Sequence, residues 1–258
     1  MPRDTGQAAA TSAILLASRL ACQAEDGVTN EFEEAWQRFQ ARPWTKPSLA
    51  ARLPDVAETS DYLVYLIALD HEPAVAQAAR RLQARLDFPY VNPVPRAALH
   101  VTVQSVGYRQ QLTAEQQSAL VERAVPVLSS LEPFEAAIGG ANSFDVAAFL
   151  EVHDGGVLRD VRAKLRAALP WLAEDGRDVL VRGGRDIYLP HVSFAYYNGE
   201  ADAQGVVAAL APHRHEVVAK VRVASAKLVA VRLPLSPKGP RYRLQTSFPL
   251  GGRRRCRR

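Results

Sequence analysis

Residues 187–199 read IYLPHVSFAYYNG, an apolar and aromatic run interrupted by His191 and Ser193 two positions apart. Residues 97–107, AALHVTVQSVG, put His100 and Thr102 in the same setting. Both runs have the composition of buried strands. Successive side chains on a strand point to opposite faces, so residues i and i+2 share one. The alternation predicts His100 and Thr102 together on one face with Gln104 next in line, and Val101 and Val103 in the core. It likewise predicts that His191 and Ser193 share a face with Tyr197, while Val192, Phe194 and Tyr196 are buried behind.

Outward from these two runs the chain alternates strands and helices. DYLVYLIALD (61–70) reads as a buried strand, and EPAVAQAARRLQARL (72–86) as a helix with Val75, Ala78, Leu82 and Leu86 on one side. TAEQQSALVERAVPVLSS (113–130) opens like a capped helix at Thr113 and carries Pro126, which distorts or shortens it. FEAAIGGANSF (134–144) and AAFLEVH (147–153) are strands, and GGVLRDVRAKLRAAL (155–169) is a helix burying Val157, Val161, Leu165 and Leu169. ADAQGVVAALAP (201–212) is a further helix, followed by the strands HEVVAKVRV, SAKLVAVRLPL and YRLQTSFPL. Two successive α+β units, each with one histidine-bearing strand, suggest an internal duplication.

Ahead of these units, TNEFEEAWQRFQARP (29–43) places Phe32, Ala35, Trp36 and Phe39 at helical spacing, with a cap expected at Thr29 or Asn30 and a stop at Pro43. This predicts an amphipathic helix docked on the main domain through its aromatic stripe. Pro43, Pro47 and Pro54 mark a connector. The domain plan is therefore an N-terminal helical extension and linker over 1–60, a duplicated domain over 61–250, and a basic tail over 251–258.

The 258 residues carry a formal charge of +5, but five arginines lie in the last six residues, RRRCRR, and the rest of the chain is balanced. The basic character therefore reads as a solvated terminus and says little about the chemistry. Cys22 and Cys256 stand near opposite ends without metal-ligand spacing, which argues against a disulfide framework and for a reducing, cytoplasmic setting. No run of residues is long and apolar enough to span a membrane. The apolar stretch within residues 8–24 is short and broken by Arg19, which favours a helical extension over a secretion signal. In PHRHE (212–216) two histidines share i, i+2 spacing after a proline, and surface placement is preferred to a metal site.

If the two histidine strands pack as equivalents, their fronts meet across one cleft, a disposition suited to phosphoester chemistry. Two imidazoles titrating near neutrality divide the proton work, one accepting from the nucleophile and one donating to the leaving oxygen. A hydroxyl beside each donates to a non-bridging phosphate oxygen. Neither a metal nor a cofactor is needed.

The paired motifs LHVTV (99–103) and PHVSF (190–194) resemble those of the 2H phosphoesterase superfamily, nearest to its 2′-5′ RNA ligase-like and cyclic phosphodiesterase branch. The resemblance covers roughly residues 60–250. It implies an α+β, bilobal duplicated fold, with two antiparallel sheets facing a central cleft and helices outside. It also implies metal-independent action on RNA ends or small nucleotides: opening a 2′,3′-cyclic phosphate, cleaving a 2′-5′ linkage, or ligating in reverse. Carried over, His100 and His191 are the acid/base pair and Thr102 and Ser193 the phosphate-directed donors. Arg109, Arg185 and Tyr197 are secondary candidates for substrate contact, each with a competing structural reading. A non-catalytic RNA-end or nucleotide binder is the alternative. The direction of the reaction, and which histidine is acid, stay open at this level.

Overall fold

The computed structural model describes residues 27–48, 61–174, 188–236 and 239–251. Arg185, the glycine pair at 183–184, both cysteines, the stretch 8–24 and the arginine-rich tail lie outside these residues. Among the described residues no helix is long and apolar enough to cross a membrane.

The fold is α+β and its strand pairs are antiparallel. The strands are β1 (Trp44–Thr45), β2 (Asp61–Ala68), β3 (Val91–Pro93), β4 (His100–Tyr108), β5 (Phe134–Ser143), β6 (Ala147–His153), β7 (His191–Tyr197), β8 (Ala201–Asp202), β9 (Val217–Val223), β10 (Ser225–Ser236) and β11 (Gly239–Pro249). The helices are α1 (Gly27–Ala41), α2 (Pro73–Gln83), α3 (Ala114–Glu122), α4 (Ala124–Ser129), α5 (Val157–Ala168), α6 (Trp171–Glu174) and α7 (Gln204–Leu210).

In place of two separate sheets, one hydrogen-bonded path runs β11-β10-β2-β4-β7-β6-β5-β9. Its two halves meet at a single residue pair, Val101 opposite Val192. Beyond that pair other groups take over the strand edges. β3 pairs with the far end of β7, Asn92 facing Tyr196. On the other edge the Tyr188 hydroxyl donates to the Thr102 carbonyl (2.8 Å) and Arg162 reaches the Val103 carbonyl (3.4 Å). Buried carbonyls need donors, and these side chains let the strands part without orphaning them.

The halves are not consecutive stretches of chain. Of the three C-terminal strands, β9 joins the second half, while β10 and β11 return to flank β2 in the first. Strand alternation records burial and not the identity of the neighbour, so this exchange was not foreseeable from local pattern. Helices cross the joint as well. α2 packs on β7 and β9, whereas α5 packs on β4 and α4 on β11. The main core is accordingly continuous across the joint, with Val101, Val103, Val192 and Phe194 almost fully buried within it. Each such side chain contributes about 1.5–3 kcal/mol on burial, which far outweighs the single ladder pair.

Local signals behave as expected at several points. Thr113 and Gln116 form a reciprocal capping box at the start of α3 (2.9 and 3.1 Å), and Pro126 lies just after a break that separates α3 from α4. The Asp154 carboxylate accepts from the amides of Gly156 and Leu158 (3.1 and 2.6 Å) to start α5. α1 begins at Gly27, so Thr29 and Asn30 fall within its first turn and not ahead of it.

The N-terminal part is built into the fold. Phe32, Ala35, Trp36 and Phe39 are buried as the stripe predicted. The expected connector carries β1, which pairs with β8, and Lys46 binds Asp145 at 2.9 Å. Beneath α1 lies a buried polar cluster. Glu151 accepts from Arg214 (2.5 Å) and Asn142 (2.8 Å), and Arg214 also reaches Glu33 (3.2 Å) and stacks over Trp36 (5.0 Å). A bulge in β5 makes room for it: Gly140 has φ +70°, and a Cβ there would fall 2.6 Å from Glu151 Oε2 and 2.9 Å from the Arg214 carbonyl. Gly140→Ala is therefore expected to cost about 2–3 kcal/mol, a fall of roughly 5–10 °C in Tm by calorimetry. An unchanged Tm would show that the bulge is not required.

Candidate active site

β4 and β7 both begin at the joint and run away from it in opposite directions. His100 opens one strand and His191 the other. With Val101 opposite Val192, antiparallel geometry sets His100 beside Ser193 and Thr102 beside His191. The two valines are sealed in the core, so all four motif side chains emerge on the other face, where each is half-buried. In a regular ladder the diagonal of such a square, here His100 to His191, is about 7–8 Å. That separation accommodates one phosphate group.

The two imidazoles are anchored alike. His100 Nδ1 lies 2.7 Å from the Ala98 carbonyl, and His191 Nδ1 lies 2.7 Å from the Leu189 carbonyl. A carbonyl only accepts, so each Nδ1 carries a hydrogen and donates it. In the neutral ring the lone pair is then on Nε2, at the far side of the imidazole from its anchor.

Their surroundings differ. His191 meets Phe144 edge-on (5.2 Å between centroids) and Phe149 at 5.0 Å. Loss of water lowers its pKa to about 4, the Leu189 bond partly opposes this, and the nearby His100 lowers it further. His100 sits edge-on to Tyr242 (5.4 Å), whose hydroxyl is 3.3 Å from Nδ1. Burial lowers the His100 pKa too, against the raising effect of the Ala98 bond. At neutral pH both rings are uncharged.

Both strands carry a bulge three residues after their histidine. Pairing with β2 skips Val103, and pairing with β6 skips Phe194. A bulge reverses the alternation beyond it. Gln104 is therefore turned into the interior, and the exposed place falls to Ser105. Tyr197 is likewise not beside His191: it is fully buried, and its hydroxyl bonds Ser143 at 2.7 Å. Tyr196 takes the cleft position and shares a hydrogen bond with Ser193. The strict alternation predicted the reverse because it allowed no extra residue. The Gln83 side chain secures this bulge by donating to the carbonyls of Val94 and Phe194 (2.8 and 2.7 Å).

Arg109 is also displaced from the expected place. It follows the last residue of β4, at the end opposite His100 and about 25–30 Å along the strand. There it bonds Gln245 (2.5 Å) and pairs with Asp61 (3.6 Å). Of the other histidines, His213 pairs with Glu216 at 2.9 Å, and His153 approaches Glu151 at 3.3 Å. Tyr196, Tyr242, Phe144 and Phe149 are the neighbours that sequence reading did not select. Tyr242 belongs to β11, and nothing near it in the chain marks it as a partner of His100.

These positions can be set against known proteins. A family model described as the 2'-5' RNA ligase superfamily matches residues 69–232, well over half of the chain. No curated protein matches it. Among solved structures, TT0787 of Thermus thermophilus superimposes with a TM-score of 0.55 at 24% identity, covering 74% of this chain and 99% of its own. E. coli LigT complexed with 3'-AMP gives 0.54 at 18% identity, over 74% and 98%. A further structure described as a phosphoesterase gives 0.53, also at 18% identity, over 74% and 98%. The structural likenesses bear on the fold. By the family match this chain belongs to the 2'-5' RNA ligase superfamily, within the 2H phosphoesterases.

Proposed function

We propose that the protein is a metal-independent phosphoesterase that acts on 2′,3′-cyclic phosphates or 2′-5′ phosphodiesters of RNA ends or nucleotides. The observation that carries this reading is the matched anchoring of the two imidazoles at one joint, each with Nδ1 on the carbonyl two residues upstream.

A phosphorus held between the two Nε2 atoms has its entering and leaving oxygens near opposite rings. His191, whose proton is the more weakly held, accepts one from the attacking hydroxyl or water as the new P–O bond forms. His100, protonated at Nε2 as well as Nδ1, donates to the departing oxygen as the old P–O bond breaks. For a 2′,3′-cyclic phosphate and water the product is a 2′-phosphomonoester and a free 3′-hydroxyl. The proton count balances, and the pair ends with its roles exchanged. Thr102 and Ser193 donate to the non-bridging oxygens, where charge accumulates. The same groups run ligation in reverse when the attacking oxygen is a ribose hydroxyl.

Incubation with nucleoside 2′,3′-cyclic phosphates, 2′-5′ oligoadenylate and cyclic-phosphate-ended RNA in EDTA tests the reading. Turnover is expected, with the phosphate position in each product found by NMR. His100→Ala and His191→Ala should each lose on the order of a hundredfold or more in kcat/KM, and Thr102→Ala and Ser193→Ala about tenfold to a hundredfold. Activity abolished by EDTA would overturn metal independence. RNA binding without turnover, unchanged in both histidine variants, would favour the non-catalytic binder.

The acidity of the pair fixes the pH dependence. Activity requires one ring with a second proton and one without. Both rings are depressed below the ordinary histidine value, and they titrate as a coupled pair. As pH falls from neutrality kcat/KM first rises while the pair takes its first proton, then declines toward pH 4 as His191 is also protonated. A bell with its maximum on the acid side of about 6.5 is expected. A maximum above neutrality would contradict the assignment.

A further inference from the structure

The family match ends at residue 232, and Tyr242, the neighbour of His100, lies beyond it. Strands β10 and β2 stand between its strand, β11, and β4. Along the ladder Tyr242 faces Val231, Val231 faces Tyr62, and Tyr62 faces Tyr108, at the end of β4 remote from His100. In a flat sheet that register would hold Tyr242 and His100 at least about 25 Å apart. Their rings are instead 5.4 Å apart and edge-on. The first half of the sheet is therefore strongly curled. Val64, Leu66, Val229 and Val231 fill the inside of the curl, on the face that carries His100 and Thr102, and Tyr242 packs against them. β11 thereby reaches the turn Arg96–Ala98 that leads into His100.

The contact has a definite sense. His100 Nδ1 already gives its hydrogen to the Ala98 carbonyl at 2.7 Å, and the Tyr242 hydroxyl stands 3.3 Å from the same nitrogen. With no lone pair left at Nδ1, the phenol oxygen can meet it only as a second, weaker acceptor of that hydrogen. Burial keeps the phenol itself neutral. Of the elements packed on the ring, β2 presents Ala68 and β7 presents His191, while Arg96 on the preceding turn is bonded to the Asp70 carbonyl (2.8 Å). Tyr196, also on β7, lies near Tyr242. Around His191 the ring neighbours are Phe144 and Phe149, which offer no oxygen. An imidazolium N–H is a stronger donor than a neutral one, so an added acceptor favours the doubly protonated ring. We propose that Tyr242 is the positioning residue that assigns the acid role to His100, by sharing its Nδ1 hydrogen and fixing the plane of its ring. The proposal rests on the phosphoesterase reading for what the proton does, and it adds the cause of the division of labour. His191, with phenylalanines in place of that oxygen, is left as the base. A strand beyond the family match thus becomes part of the active site.

Tyr242→Phe keeps the ring and removes the oxygen. The alkaline limb of its kcat/KM profile, with a nucleoside 2′,3′-cyclic phosphate, should move about half a unit to lower pH. The sign follows from the lost acceptor: His100 holds its second proton less firmly, so a lower pH is needed to supply it. Above neutrality kcat/KM should fall about threefold, with the loss fading toward the acid limb. Heteronuclear NMR of the imidazoles follows the same proton without turnover, and in the wild type it serves if the variant does not fold. His100 should take its second proton at a higher pH than His191, and in the variant chiefly the His100 midpoint should fall. His191 taking that proton first, a loss of activity equal at every pH, or a profile unmoved in the folded variant overturns the role of Tyr242 and leaves the phosphoesterase reading standing. A wild type that turns over none of the phosphoesters overturns that reading, and the role of Tyr242 with it.

Discussion

A backbone carbonyl has no proton to give, and this constrains both motif histidines. With Ala98 and Leu189 accepting from Nδ1, neither ring can place its neutral lone pair anywhere but Nε2. The donor and acceptor pattern of the site is thus set by main-chain geometry at two strand starts. Each anchoring carbonyl belongs to the residue two before the histidine, and in both cases only one residue, Leu99 or Pro190, separates them. The proton chemistry proposed above depends on this arrangement more than on any other.

The joint between β4 and β7 supplies the second requirement, that the two rings meet. One ladder pair is too little to hold two halves of a sheet together. The helices and the returning strands do that, since α2 and α5 each pack on strands of the opposite half and the core runs through. With Tyr188 and Arg162 satisfying β4 and β3 satisfying β7, the ladder between the two strands ends after one pair without leaving these carbonyls orphaned. Matching bulges at Val103 and Phe194 then reset which side chains follow the hydroxyls.

Periodicity of two was enough to put His100 with Thr102 and His191 with Ser193, because each pair lies before its bulge. It failed beyond the bulge, at Gln104 and Tyr197, because the inserted residue inverts the faces and alternation alone has no way to register it. Arg109 is misplaced for a different reason: proximity along the chain is not proximity in space, and an extended strand carries residues apart at about 3.3 Å each. The stripe of α1 was legible, as helical spacing usually is when four large apolar groups share a face. What that stripe lies against was not, and neither was the approach of Tyr242 to His100 from a strand at the other end of the chain. Local pattern specifies burial, whereas the site is made by long-range pairing.

The asymmetry around the two rings follows from the same packing. Phe144 and Phe149 close in on His191, and Tyr242 stands against His100. A crystal structure with a nucleoside 2′-phosphate or a vanadate transition-state mimic bound tests the central claim most directly. The account predicts one phosphorus or vanadium centre with Nε2 of His100 and Nε2 of His191 both within hydrogen-bond reach of its oxygens, on opposite sides. A ligand seated elsewhere, or held by only one of the two rings, would contradict it.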